Sequence, residues 1–486
     1  MSSVWQPKLK RYRHFDGLKS PNRLMSYVSD PDRVAKHAFY PLLSYEKSWK
    51  QFAPKGMARE PKKRTIKYAS RTDAAVFSYY RYKLGILYED WLRNCHLSDS
   101  VLAYRSIPKN SSNGGKGNID FAKEAFEKMR DFGACSYACL DISKFFDNLD
   151  HKAIKRDWAD LLGTPTLPDD HFNVYRNLIR YGEVPLDWAY QGLGIKRDIE
   201  LADGTMRMGF AALAEDIEPQ ICYPDQFRKH IVENDLILSF KDRGCPERGI
   251  PQGVPLSDLL ANVYMRSFDE AALEATIALG GYYARYSDDI IVIIPKDEFA
   301  LMALVEKLTT FLEKLAHPLR FNPSKLESGL VYPEKGNQRI YRLHGKAGGC
   351  NYLGFRFDGS KVFLREKTLG NFWRANSRKI RKEAMAAARR YPGKSTAFVR
   401  SKINEGRLLE QTGRVQDFSK VKDLYGSWTF WTYAKRADTA FSSFGSGIGH
   451  QLRNHRVKVR DRLDKAVNRA TALVKNPNWL AKRKKR

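Results

Sequence analysis

Gly281-Tyr282-Tyr283-Ala284-Arg285-Tyr286-Ser287-Asp288-Asp289-Ile290-Ile291-Val292-Ile293-Ile294 reads as two runs of β-formers joined by a short polar centre, the pattern of a hairpin. Its tip carries two adjacent carboxylates. An Asp pair in a turn is ordinarily turn chemistry. Here the run that follows is almost wholly apolar, which predicts a buried strand and puts the pair at the edge of a packed sheet.

A second acidic strand end lies upstream, in Ser136-Tyr137-Ala138-Cys139-Leu140-Asp141. The strand ends at Asp141, and a helix begins near Asp150, with Ile154, Trp158, Leu161 and Leu162 on one face and Gly163 as its stop. A carboxylate closing an apolar strand is costly to bury unpaired. Bringing Asp141 beside Asp288 gathers like charges that need cations, and Mg²⁺, which takes carboxylate oxygens and bridges to phosphates, suits that need. A third segment, Arg248-Gly249-Ile250-Pro251-Gln252-Gly253-Val254-Pro255-Leu256-Ser257-Asp258-Leu259-Leu260-Ala261-Asn262, is a Gly/Pro-rich loop entering an amphipathic helix. By itself it is an ordinary loop-to-helix turn, although its glycines let backbone approach a ligand closely.

The chain around these segments has 486 residues, 43% of them hydrophobic and 12% aromatic, which excludes wholesale disorder. Its formal net charge is +29, from 84 Lys+Arg against 55 Asp+Glu, and points to a polyanionic partner. The charge is unevenly placed: +11 over residues 1–70, −5 over 71–360 and +23 over 361–486. Basic flanks therefore surround a slightly acidic centre, and the flanks carry aromatics (Trp49, Phe372, Trp373, Trp428, Trp431) that disordered tails lack. No run approaches the roughly 18 apolar residues of a membrane span. The basic start argues against a secretory signal. None of the six cysteines forms a Cys-x-x-Cys pair. A soluble, cytoplasmic chain is expected, with no membrane partner. Residues 72–94 read as a helix, and the first block reads as irregular.

In this order the three segments resemble the palm motifs of a reverse transcriptase. Asp141 opens the first, Arg248–Asn262 forms the second and Tyr286-Ser287-Asp288-Asp289 is the third. Arg320-Phe321-Asn322-Pro323-Ser324-Lys325 and Asn351-Tyr352-Leu353-Gly354-Phe355 look like the fourth motif and the primer grip. The resemblance runs from about Tyr104 to Phe357, roughly half the chain. It implies an α+β right-hand polymerase fold, with fingers and an antiparallel palm sheet followed by a mainly helical basic thumb. The expected division is 1–100 for a basic extension and the start of the fingers, 101–360 for fingers and palm with an insertion near 163–245, and 361–486 for the thumb.

The resemblance further implies two Mg²⁺ ions held by Asp141 and Asp288, with Asp289 in support, and Lys325 beside the leaving pyrophosphate. Gln252 and Gly253 would face the incoming nucleotide. Phe146, five positions after Asp141, falls where the family places its steric gate against a ribose 2′-hydroxyl; a plain core Phe beside Phe145 is the alternative. Arg105 and Lys116, flanking the Gly-rich Asn113–Gly117 loop, are candidates for a triphosphate, and a solvated hairpin tip is the rival reading. Lone His455 has no nuclease constellation around it. Implied partners are an RNA template, a DNA product and dNTPs, and self-association is left open.

Ser287 stands where group II intron and many retron enzymes carry Ala. About one hundred residues separate Asp147 from Arg248. The Tyr104-Arg105 segment and the helical basic C-terminus look most like the defence-associated, abortive-infection reverse transcriptases of bacteria. That likeness implies an anti-phage role and a dedicated non-coding RNA. Two other readings stay open: a template-independent, protein-primed DNA polymerase, and a non-catalytic, maturase-like RNA-binding protein.

Overall fold

The computed structural model describes residues 5–49, 60–109, 112–200, 206–211, 220–344 except 243 and 245, 348–408 except 407, and 429–475. At its centre lies a five-stranded antiparallel sheet in the order Asn337–His344, Glu327–Glu334, Cys135–Asp141, Asp289–Ile294, Tyr282–Tyr286. Cys135–Asp141 is the middle strand because both of its faces can be buried. Ala138 and Leu140 join Ile290 and Val292 in one core, while Cys135 and Tyr137 join Ile291 and Ile293 in another. Helices Arg266–Ile277 and Glu298–Leu315 contribute to the first core, and helix Asn118–Phe132 covers the opposite face. This is an α+β fold built on an antiparallel sheet.

The helix expected over 72–94 spans Arg71–Asn94, capped by Ser70, whose hydroxyl accepts from the Asp73 N–H. The helix after the first acidic strand runs His151–Leu162, capped by Asp150 and closed by Gly163 in the left-handed region. The first block is not irregular. It contains helices Pro21–Val28 and Pro31–Ala35 and an antiparallel hairpin, Leu42–Trp49 with Lys62–Tyr68. Tyr45, Glu46, Lys47, Lys63 and Arg64 are exposed, so the outer part of this hairpin leaves no apolar alternation to read.

Its inner end is tied down by a short strand, Glu183–Pro185, pairing in parallel with Leu42–Ser44. That strand comes from the 163–245 segment. The segment's described residues also form helices Asp169–Ile179 and Leu186–Gly192 and the hairpin Lys196–Glu200/Met206–Phe210. The hydrophobic cluster beneath the palm runs without a break from Leu24 to Leu319, so the N-terminal residues share the palm's core.

After the palm, a three-stranded sheet (Cys350–Tyr352, Phe355–Phe357, Val362–Leu364) leads into helices. Helices Glu366–Arg390 and His455–Lys475 pack through Ile380, Ala384 and Ala388 against Val459, Leu463 and Val467, which leaves their many Lys and Arg side chains outward. Trp431 is buried in the palm-side cluster with Tyr433 packed against it. His455 is enclosed by Phe372, Trp373 and Trp431, and its burial lowers its pKa to about 4, so it serves as packing. Trp428, the Trp49 side chain and the Lys482–Arg486 tract lie outside the described residues. Among the described residues no helix is long and apolar enough to cross a membrane.

Candidate active site

The three acidic positions converge at one end of the palm sheet. Asp289 is the register partner of Asp141 on the neighbouring strand, and the Ile142 N–H donates to the Asp288 carbonyl at 3.0 Å. Asp288 occupies the turn between the hairpin strands, which closes through Ser287 at φ +60°. A side chain other than Gly in that conformation needs support. The support is Arg285, fully buried directly behind the turn. Its guanidinium donates to the Ser287 carbonyl at 3.1 Å, to Asn262 Oδ1 at 3.1 Å and to both oxygens of Asp269 at 2.7 and 2.5 Å. Tyr283 adds a 2.6 Å hydrogen bond to Asp269. Desolvation lowers the Arg285 pKa, but the charge and hydrogen bonding of Asp269, joined by Tyr283 and Tyr88, together outweigh it and hold it above its ordinary value.

The loop Arg320–Lys325 is stitched to the first acidic strand. The Ser143 N–H donates to the Arg320 carbonyl at 2.9 Å, and the Asn322 N–H to the Asp141 carbonyl at 2.8 Å. This brings Lys325 Nζ to 2.5 Å from Asp141 Oδ1. Desolvation, and after it the Asp141 charge, push the Asp288 carboxyl above its usual range. Asp289 keeps a solvent-facing side but is largely surrounded by protein. That desolvation, followed by the charges of Asp288 and Asp141, pushes it up to about 6, against the opposing pull of Lys325 and Arg365. Two carboxylates with raised pKa, beside a third that already holds an ammonium, form a donor set that suits hard divalent cations. Among the described residues no three His, Cys, Asp or Glu side chains are already gathered as a finished metal cluster.

Phe146 is half-buried, its ring 5.5 Å from Phe145 and edge-on to Tyr104 at 6.5 Å, and its carbonyl accepts from the Ile250 N–H at 2.9 Å. The Gln252 carbonyl accepts from the Lys67 N–H at 3.2 Å, which joins the Gly/Pro loop to the N-terminal hairpin. Gly253 sits at φ +110°, where an added Cβ would lie 2.4 Å from the Lys67 carbonyl. That close approach explains why Gly stands there.

Two sequence candidates are not displayed to a ligand. The Arg105 guanidinium is turned inward, bonded to both Glu89 oxygens at 2.8 and 2.7 Å, to the Ser98 carbonyl at 2.7 Å and to the Val101 carbonyl. With its donors so occupied, it braces the segment instead of facing a triphosphate. Lys116 pairs with Glu124 at 2.6 Å. Residues 110 and 111 of that hairpin lie outside the described residues. The sequence reading missed Arg285, Asp269 and Asn262. The signal was available: a lone Arg at an interior position of a buried strand requires an acidic partner.

Residues 226–357 match the family model described as reverse transcriptase (RNA-dependent DNA polymerase). The match takes in the Gly/Pro loop, the Asp288–Asp289 turn and the strands Cys350–Tyr352 and Phe355–Phe357 but begins beyond Asp141. Over those residues, about a quarter of the chain, it is thus similar to that family. Among solved structures it is similar to an apo telomerase from Candida tropicalis truncated from its C-terminal domain. The likeness has 11% identity and a TM-score of 0.38, over 70% of this chain and 58% of that one, so the chain spans less than two thirds of that structure. No curated protein matches the chain.

Proposed function

We propose that the chain is an RNA-directed DNA polymerase that extends a primer with deoxynucleotides. The observation that carries this is Asp141 in register with Asp289, with Asp288 at the adjoining turn, all at one end of the palm sheet. Asp141, Asp288 and Asp289 are the residues that would hold two Mg²⁺ ions, which when bound activate the primer 3′-hydroxyl and neutralise charge on the departing pyrophosphate. Lys325, already beside Asp141, supplies positive charge and a proton at Nζ to the pyrophosphate. Gln252 and Gly253 face the incoming nucleotide, and the Phe146 ring closes its pocket where a ribose 2′-hydroxyl would fall. Replacing Phe146 with Ala is expected to raise ribonucleotide use relative to deoxynucleotide use, on the order of 10²-fold at most for a single hydroxyl in an apolar pocket. Single-nucleotide incorporation with each substrate measures that ratio.

The C-terminal region acts as the thumb. Helices Glu366–Arg390 and His455–Lys475 present Arg374, Arg378, Lys382, Arg456 and Lys458 on exposed surface, the chemistry that grips a phosphate backbone. Together with the exposed Arg381 and Arg453 these make seven cations, and six or more phosphate contacts from them predict that affinity for a primed template falls on the order of 10³-fold between 50 and 200 mM salt, measured by fluorescence anisotropy. A flat salt profile contradicts the thumb role. The finer reading is that the template is a dedicated non-coding RNA and that synthesis serves anti-phage defence in the bacterial cytoplasm. It is supported by Ser287 in the catalytic turn, the Tyr104-Arg105 segment and the basic helical C-terminus.

The test is incorporation of labelled deoxynucleotides by the purified chain on a primed RNA, with Mg²⁺ and with a chelator. Incorporation that requires Mg²⁺ is expected. Its absence in every divalent ion tried would sink the reading.

A further inference from the structure

Tyr104 sits where three parts of the site meet. Its hydroxyl is 3.0 Å from Ser287 Oγ, in the residue before Asp288, and its ring stands edge-on to Phe146. Its backbone adopts φ +65°, a conformation that a bulky residue keeps only when the surroundings impose it. Those surroundings are well defined. The Tyr104 carbonyl accepts from Arg81 Nη2 at 2.8 Å, and Arg81 is itself bonded to both oxygens of Asp258 at 2.8 and 3.1 Å. The Ala103 carbonyl accepts from the Asn262 side chain at 2.9 Å, and the Leu102 N–H donates to the Arg285 carbonyl at 2.9 Å. Arg285 in turn donates to Asn262 and to the Ser287 carbonyl, so the circuit closes on the residue that Tyr104 touches.

We propose that Tyr104 is a second specificity-determining residue for the sugar of the incoming nucleotide, its ring backing Phe146 and its hydroxyl fixed by Ser287. The proposal rests on the polymerase reading and on Phe146 as the gate. A gate discriminates only while it cannot yield, and a half-buried phenyl ring with nothing behind it escapes an extra oxygen by changing rotamer. Tyr104 removes that freedom because it is held at both ends, by the Ser287 hydroxyl at its tip and, at its backbone, by Arg81 on its own carbonyl and Asn262 on the preceding Ala103 carbonyl. Ser287 therefore does more than complete a turn. Its hydroxyl is the anchor that an alanine at that position lacks.

The experiment compares kcat/KM for a deoxynucleotide and its ribonucleotide counterpart on one primed template. The variants are Tyr104→Phe, Ser287→Ala, their double variant and Phe146→Ala. Each single change at the hydrogen bond is expected to lower the deoxy-to-ribo ratio roughly fivefold to tenfold, the net worth of one such bond. The double variant should lower it no further than either single one, because both remove the same bond. A merely structural role would depress both substrates together and leave the ratio alone. If Phe146→Ala lowers the ratio while Tyr104→Phe and Ser287→Ala do not, this inference is overturned and the gate stands. Additive losses in the double variant overturn the shared bond. An unchanged ratio in Phe146→Ala overturns the gate and this inference with it, and absence of incorporation by the unmodified chain overturns the polymerase reading beneath both.

Discussion

Asp288→Asn should abolish deoxynucleotide incorporation, lowering it on the order of 10³-fold or more, while the protein stays folded. Loss of several kcal/mol of charge stabilisation at the reacting phosphate corresponds to a rate factor of that size. The sign of the stability effect separates catalysis from structure. Asp288 and Asp289 both titrate above their ordinary values in the folded protein, Asp289 near 6. A raised carboxylate pKa means that the folded state binds protons more tightly than the unfolded one, so stability declines as pH rises through that pKa. At neutral pH without divalent ions these carboxylates therefore oppose folding, and removing one charge should leave the melting temperature unchanged or raise it. A variant that loses activity together with its fold would not support the assignment. One that keeps both activity and fold would refute it.

The second large effect lies behind the turn. Asp269→Ala leaves the Arg285 guanidinium, fully buried, without its counterion, and Tyr283 without its acceptor. Breaking a buried pair from one side costs about 3–5 kcal/mol, a large share of the stability of a typical domain. A fall of that size in unfolding free energy should appear in urea titration. Incorporation should fall too, since Arg285 also holds the Ser287 carbonyl. Replacing both partners, Arg285→Met with Asp269→Leu, should regain much of the stability, because two apolar groups leave no stranded charge. It should not restore the geometry of the turn. A cost below about 1 kcal/mol for Asp269→Ala would mean that the pair does not carry the turn.

The Tyr282–Ile294 hairpin was legible because its two signals coincide: an apolar run too continuous to be exposed, and carboxylates at its end. The register that sets Asp289 opposite Asp141 was not legible, since about 150 residues separate them and pairing between distant strands leaves no local trace. The N-terminal hairpin was lost for the opposite reason. Its outer half is exposed on both faces, so charge hides the alternation that would have announced a strand. Arg105 was read as a phosphate cation because it lies near a Gly-rich loop, and its pairing with Glu89 on the preceding helix left no trace in that local pattern. The Tyr104–Ser287 contact joins residues 183 apart, and only the fold reveals it.

An RNA-directed polymerase lets the template base choose the nucleotide it adds. The direct measurement offers the purified chain each of the four labelled deoxynucleotides singly, on primed RNAs that differ only in the first template base. RNA-directed synthesis at Asp288 requires that the incorporated nucleotide change with that base according to complementarity and that incorporation disappear in Asp288→Asn. The same nucleotide incorporated whatever the template base, or incorporation that survives Asp288→Asn, would contradict it.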